Sequence, residues 1–232
     1  MQNNRDCLRK GQTRKLRPTR RSVSGVYAFR GKSAIQFEST LERDFLIRKE
    51  FELDVLDVIP QPVRIPFTKN GLNYTYTPDF LVYYRPGLPY GECPKPMLIE
   101  VKPLAEWREH WRSWLDKWKA AYRYAKDQGW GFHIHDESRI RDQALANIRF
   151  LERYKRMHFP EAKNRWLIDN IRQMGKAQFH DILARHFMGI CSAESISHIW
   201  HLLATRQLDC DISQPLNDFT ELWVLTNEQG TR

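Results

Sequence analysis

The stretch from Met97 to His135 limits the possible folds more than any other part of the chain. Met97-Leu98-Ile99-Glu100-Val101 is a short, mostly apolar run that stops at Lys102-Pro103. From Leu104 to Gln128, Trp107, Trp111, Trp114, Trp118 and Tyr122 recur at the spacing of one helical stripe. That stripe predicts a long helix with a core-facing side, and Gly129 is a natural stop. Trp130–His135 reads as another strand. Strand, long helix, strand is a crossover unit, and it requires a mixed or parallel sheet covered by helices.

The residues before it supply further layers. Phe37–Phe51 reads as a helix, with Ser39 as its N-cap and Glu42 three residues later in the capping-box position. Gly25–Ile35 reads as a turn with a short extended segment, and Val55–Ile59 as a strand. Asn70-Gly71 marks a hairpin between Val63–Phe67 and Leu72–Thr77. Phe80–Tyr84 is rich in aromatic and branched residues, as a buried strand is. Residues 85–96 hold four prolines and two glycines and read as a loop. Ser138–Arg156 reads as a further helix.

The pattern changes near His158-Phe159-Pro160. Trp166–Met174, Lys176–His186 and Ser192–Arg206 read as three helices, followed by strand-like Leu208–Ile212 and Phe219–Leu225. Three helices and a hairpin is the order of a winged helix. Its third helix carries His198, His201 and Arg206 but no run of Lys or Arg, which favours protein docking over base reading. The expected organisation is a basic arm over 1–24, an α/β domain over 25–160 and a winged-helix-like, partner-binding domain over 161–232.

Charge is distributed unevenly. The chain has 37 Lys+Arg against 28 Asp+Glu, a formal net charge of +9. Residues 1–21 alone contribute +7. An arm so basic and so poor in apolar residues cannot bury enough surface to fold alone. Arg14, Lys15, Arg17, Arg20 and Arg21 are candidate contacts to the phosphates of DNA. No apolar run approaches the ~20 residues of a membrane span, and the basic N-terminus lacks the apolar stretch of a signal peptide. Cys7, Cys93, Cys191 and Cys210 are scattered, without a CxxC pair, so neither a disulfide framework nor a zinc knuckle is expected. A reducing cytoplasm is the expected setting.

The chemistry concentrates in Thr77-Pro78-Asp79-Phe80-Leu81-Val82 and Leu98-Ile99-Glu100-Val101-Lys102-Pro103. Glu100 and Lys102 are two apart on a strand and share a face. Asp79 opens a neighbouring strand and can present its carboxylate close to Glu100. Two adjacent carboxylates repel at neutral pH unless a cation lies between them, and hard oxygen donors suit Mg²⁺. A lysine beside such an ion can position water and stabilise developing charge. These are the parts of metal-assisted phosphodiester hydrolysis. The same residues also fit blander roles: a turn cap for Asp79, a cross-strand ion pair for Glu100 and Lys102, and a capping box for Glu42. Glu38 lies one helical turn before Glu42 on a similar face, so spacing alone does not choose between them. His133 and His135 share a strand face and read as ordinary histidines.

Ser39-Thr40-Leu41-Glu42, Gln61-Pro62, Thr77–Val82 and Ile99–Pro103, in this order, resemble the TnsA-type transposon-end endonucleases. The resemblance covers roughly residues 26–232, leaving out the basic arm and the Pro-rich loop. It implies a restriction-endonuclease-like (PD-ExK) mixed sheet with flanking helices, plus a C-terminal winged-helix-like domain. It implies hydrolysis of the 5′ (non-transferred) strand at transposon ends during cut-and-paste transposition, with Mg²⁺ as cofactor and Mn²⁺ as substitute. Residue by residue, it makes Glu42 the helix acid that completes the metal site, Asp79 the bridging carboxylate, Glu100 a further ligand and Lys102 the catalytic lysine. Some members of the family carry Gln where Glu100 stands. The implied partners are transposon-end DNA, a DDE-type transposase subunit that cuts the 3′ strand, and an AAA+ ATPase regulator engaged through the C-terminal domain. The implied setting is a bacterial cytoplasm. A stand-alone restriction or repair nuclease of this fold, and a non-catalytic adaptor between DNA and partners, are the alternatives.

Overall fold

The computed structural model describes residues 23–86, 94–187 and 193–225. The five basic arm residues Arg14, Lys15, Arg17, Arg20 and Arg21 lie outside the described residues, as does much of the Pro-rich loop. The chain forms two compact units, one ending at Ile140 and the other beginning at Arg141.

The first unit runs β1 (Gly25–Phe29), β2 (Ser33–Phe37), α1 (Thr40–Phe51), β3 (Val55–Pro60), β4 (Ile65–Lys69), β5 (Leu72–Tyr76), β6 (Phe80–Tyr84), β7 (Met97–Val101), α2 (Leu104–Asp127), β8 (Gly131–His135) and α3 (Glu137–Ile140). Four strands make the central sheet in the order β3-β6-β7-β8. β6 is antiparallel to β3 and β7, whereas β7 and β8 are parallel and joined by α2. This is the mixed sheet that the crossover requires. β1 and β2 form one hairpin and β4 and β5 another. In the second, Asn70 and Gly71 both take positive φ, 52° and 77°, the backbone a two-residue hairpin turn needs.

Alternation along the central strands sends side chains into two separate cores. Phe80, Val82, Ile99 and Val101 pack on one face with Phe45 and Leu46 of α1 and with Phe29, Ile35 and Phe37 of the first hairpin. Leu81, Tyr83 and Leu98 pack on the other face with Trp118, Ala121 and Ala125 of α2 and with Ile65 and Tyr76 of the second hairpin. By the same parity, Glu100 falls on the α2 side of β7. The N-terminus of α2 follows Pro103, which offers no side-chain cap. Glu137 of α3 serves instead, accepting from the Leu104 amide at 2.8 Å and placing negative charge at the positive end of the helix.

The aromatic stripe expected to bury on α2 is only partly buried. Trp118 is enclosed, but Trp111 is 43% and Tyr122 58% exposed. Each four-residue step overshoots a full helical turn by about 40°, which carries Trp111 and Tyr122 off the face. The buried side runs through Trp107, Trp114, Trp118, Ala121 and Ala125.

The second unit contains α4 (Gln143–Lys155), α5 (Glu161–Met174), β9 (Lys176–Gln178), α6 (Phe179–His186), α7 (Ala193–Ala204), β10 (Leu208–Asp209) and β11 (Glu221–Val224). Its sheet has the order β10-β11-β9, with both pairings antiparallel. Trp200 of α7 is its hub, stacked on Phe179 at 4.2 Å and edge-on to Phe150 at 5.6 Å. Two expectations are corrected here. The single helix over Ser138–Arg156 is broken between α3 and α4, because Asp142 accepts from the Leu145 amide and starts a new helix. The helix expected from Lys176 begins only at Phe179, since Lys176–Gln178 pairs with β11. The second compact unit begins before α4, where α4 packs on α7 and Asn147 donates to the carbonyls of Ile212 and Gln214. Among the described residues, no helix is long and apolar enough to cross a membrane.

Candidate active site

Asp79, Glu100 and Lys102 gather where β6 begins and β7 ends. The antiparallel register pairs Phe80 with Ile99, so Asp79 and Glu100 are the next residues on adjacent strands. The Val101 amide donates to Asp79 Oδ2 at 2.8 Å and fixes the carboxylate. On the other side of Asp79, its carbonyl accepts from the Gln61 amide at 2.8 Å. Gln61 is buried and holds φ at 45°, an uncommon conformation for a residue with a side chain. The Gln61-Pro62 pair is thus a backbone brace for the strand start that carries Asp79.

Glu100 is 2% exposed, so it is not half of an ion pair on a wet sheet face. Tyr76 donates its hydroxyl to Glu100 Oε2 at 2.5 Å. Glu100 Oε1 faces two ammonium groups, Lys117 at 3.5 Å and Lys102 at 3.7 Å. Burial, reinforced by the charge of Glu100, pushes the Asp79 carboxyl well above the usual carboxylate range. Burial works against the charge on Lys102, but Asp79, Glu100, Glu42 and Glu106 outweigh it and raise its ammonium above the ordinary value. Lys117 goes the other way: burial dominates and lowers it. Tyr76, buried beside Glu100, is held well above the usual phenol value and serves as a neutral donor.

Glu42 reaches this cluster by charge and not by contact. Its Oε2 accepts from the Glu38 amide at 2.8 Å and its Oε1 from the Ser39 hydroxyl at 3.0 Å. Ser39 Oγ in turn accepts from the Glu42 amide at 3.1 Å, the forward half of a capping box, while the return bond goes to the Glu38 amide instead of the Ser39 amide. Burial raises the Glu42 carboxyl despite these bonds. Glu42 is among the charges that act on Asp79 and Lys102. Among the described residues no group of three or more His, Cys, Asp or Glu stands ready to hold a metal ion. The donors that converge are two carboxylates, and a Mg²⁺ site needs only one or two, with waters and phosphate oxygens completing the shell. The donor set is of the right chemistry for that ion.

Tyr76 and Lys117 carry no motif that singles them out in the sequence. The one available signal is their company: Tyr76 immediately precedes Thr77-Pro78-Asp79, and Lys117 is a cation set between Trp114 and Trp118. His135 is half-buried and edge-on to Phe45 at 5.6 Å, and burial first, then Lys49 and Arg139, lower its imidazole to about 4. It is a neutral edge of the core.

The family model for the TnsA-like endonuclease N terminal matches residues 52–137, and that for the TnsA endonuclease C terminal matches residues 139–212. Their junction lies within three residues of the division between the two units. The chain belongs to the TnsA-type endonuclease family, and so is a nuclease of the kind that serves as a transposase subunit. No curated protein matches the chain. Asp79, Glu100 and Lys102 lie inside the matched span, whereas Glu42 lies before it.

Glu42 is therefore the site residue whose two roles most need separating. Glu42→Gln keeps a residue that suits the capping box but removes the charge. Its melting temperature should stay within about 4 °C of wild type, since a cap is worth roughly 1 kcal/mol. Strand cleavage should fall at least tenfold. Full cleavage with an unchanged melt would confine Glu42 to the cap.

Proposed function

We propose that the chain is a Mg²⁺-dependent endonuclease that hydrolyses the 5′ (non-transferred) strand at transposon ends, acting beside a DDE-type transposase subunit. The observation that carries this is the gathering of Asp79, Glu100 and Lys102 at the ends of two adjacent strands in a chain of this family. Asp79 and Glu100 would hold the ion, with Glu42 joining them on leaving its cap. When bound, the ion supplies Lewis acidity to a phosphate oxygen and lowers the pKa of an attached water. The Val101 amide keeps Asp79 aimed, and Tyr76 keeps Glu100 aimed. Lys102, held protonated by the acidic cluster, presents positive charge to the phosphate as negative charge grows there. Mn²⁺, another oxygen-preferring ion, substitutes for Mg²⁺. A mixed sheet with helices on both faces, Pro78-Asp79 opening one strand and Glu100-x-Lys102 ending the next, supports a PD-ExK assignment.

The second unit supports a winged-helix reading through the order of helix, strand, two helices and hairpin that follows α4. Its α7 is a poor base reader: Ser195, His198, Ile199, Trp200, His201 and Leu202 are all buried. This favours docking, and an AAA+ ATPase regulator is the proposed partner. The basic arm, with Arg14, Lys15, Arg17, Arg20 and Arg21, is assigned to DNA phosphates.

The test is a reconstituted reaction on a duplex carrying the element's end, with each strand labelled. The 5′ strand should be cut only with the transposase subunit and a divalent ion present, and EDTA should stop it. Cutting of naked DNA by the chain alone would move it to the stand-alone nucleases. No cutting in the full assembly at any Mg²⁺ or Mn²⁺ concentration would leave the adaptor reading. Adding the ATPase should change the cutting rate of the intact chain, and no change would remove the docking assignment.

A further inference from the structure

We propose that Lys117 is a resident counter-cation of the active site: its ammonium holds Glu100 in the metal-free chain and competes with the divalent ion for that carboxylate. This rests on the reading of Glu100 as a cation ligand. Lys117 reaches the site from α2, the helix that crosses over between β7 and β8. Its Nζ lies 3.5 Å from Glu100 Oε1. It also stands over three aromatic rings, Trp114 at 4.6 Å, Tyr76 at 4.9 Å and Trp118 at 5.7 Å. Cation–π attraction to these rings helps hold the ammonium in place, and the side chain is 18% exposed. Glu100, with its second oxygen on Tyr76, has almost no water to solvate its charge. A carboxylate so placed needs a cation, and Lys117, beside Lys102 on the same oxygen, provides one without metal.

A lysine and a divalent ion repel each other, and both seek the same oxygen. Removing the lysine's charge should therefore strengthen metal binding, the opposite of what loss of a supporting contact would do. Removing one unit charge about 6 Å from a divalent ion in a water-like dielectric corresponds to about tenfold in affinity.

The test is titration calorimetry of the full chain with Mn²⁺ alone, with circular dichroism to check folding. Lys117→Gln should bind Mn²⁺ about tenfold more tightly than wild type. Lys117→Met, which keeps an apolar stem against the three rings, should do the same and provides a second neutral variant. Lys117→Arg restores the charge and should return the affinity to within about threefold of wild type. The Mg²⁺ concentration giving half-maximal cleavage should fall in Lys117→Gln. If the folded neutral variants bind Mn²⁺ no better than wild type, or worse, Lys117 is a packing residue and the proposal is wrong. Glu100→Gln keeps Lys117 and reports on the underlying reading: unchanged Mn²⁺ affinity there would mean that Glu100 is not a ligand. That outcome is separate from failure at Lys117.

Discussion

Asp79→Asn should lose at least about 10³-fold in strand cleavage and, in the same preparation, melt at a higher temperature than wild type. The rate loss follows from removing the carboxylate on which the proposed cation site is centred. A thousandfold is about 4 kcal/mol of transition-state stabilisation, a plausible share for a metal ligand. The gain in stability comes from burial. The Asp79 carboxyl is pushed up in the folded chain, first by desolvation and then by Glu100. A raised acid favours folding at pH below its unfolded value, near 4, and that contribution is lost as pH rises through the folded value. At neutral pH the buried Asp79 carboxyl thus weighs against folding, and Asn removes the ionisable group. Asn also keeps an oxygen for the Val101 amide, which Ala would leave unpartnered. Each 1 kcal/mol recovered should raise the melting temperature by about 2–4 °C. Calorimetry in EDTA at pH 7 and pH 4 checks the sign, since the gap between the two proteins should shrink at pH 4. Wild-type cleavage by this variant would remove Asp79 from the site. A lower melting point at pH 7 would mean that Lys102 stabilises the carboxylate more than burial strains it.

The same cluster marks the limits of what the sequence could convey. Asp79, Glu100 and Lys102 were readable because strands have a period of two and because a proline and a β-rich run bracket each end. The crossover was readable because a 24-residue helix with a strong aromatic face sits between two apolar runs. Tyr76 and Lys117 were not readable, since they reach Glu100 from a hairpin and a helix whose docking on the sheet no local spacing encodes. Glu42 was visible twice, as cap and as acid, and the two roles use the same residue type at the same position. The break at Asp142 was hidden because Arg139-Ile140-Arg141-Asp142 holds no Gly or Pro to mark a helix end. β9, three residues long, exists only because β11 pairs with it.

Phe45→Ala should be the most damaging single change in the first unit, costing about 3–5 kcal/mol and lowering the melting temperature by about 6–20 °C. The Phe45 ring is fully buried and stacks on Phe80 at 5.1 Å. An aromatic pair of that kind adds to the burial lost with the ring. The position also matters for chemistry. Phe45 follows Glu42 by one helical turn, and Phe80 directly follows Asp79 and pairs with Ile99, the neighbour of Glu100. The ring is the peg that seats α1 on the strand ends bearing the acidic pair. A cavity there lets the helix shift against the sheet, and a displacement near 1 Å is enough to cost about 10² in rate. Cleavage at 20 °C should therefore fall at least tenfold while circular dichroism still reports a folded chain. Phe45→Leu refills much of the space and should recover most of both losses. Equal cleavage per folded molecule in Phe45→Ala and wild type would separate the core from the site. It would mean that α1 does not need a fixed seat for the chemistry, and Glu42 would then be left with its capping role alone.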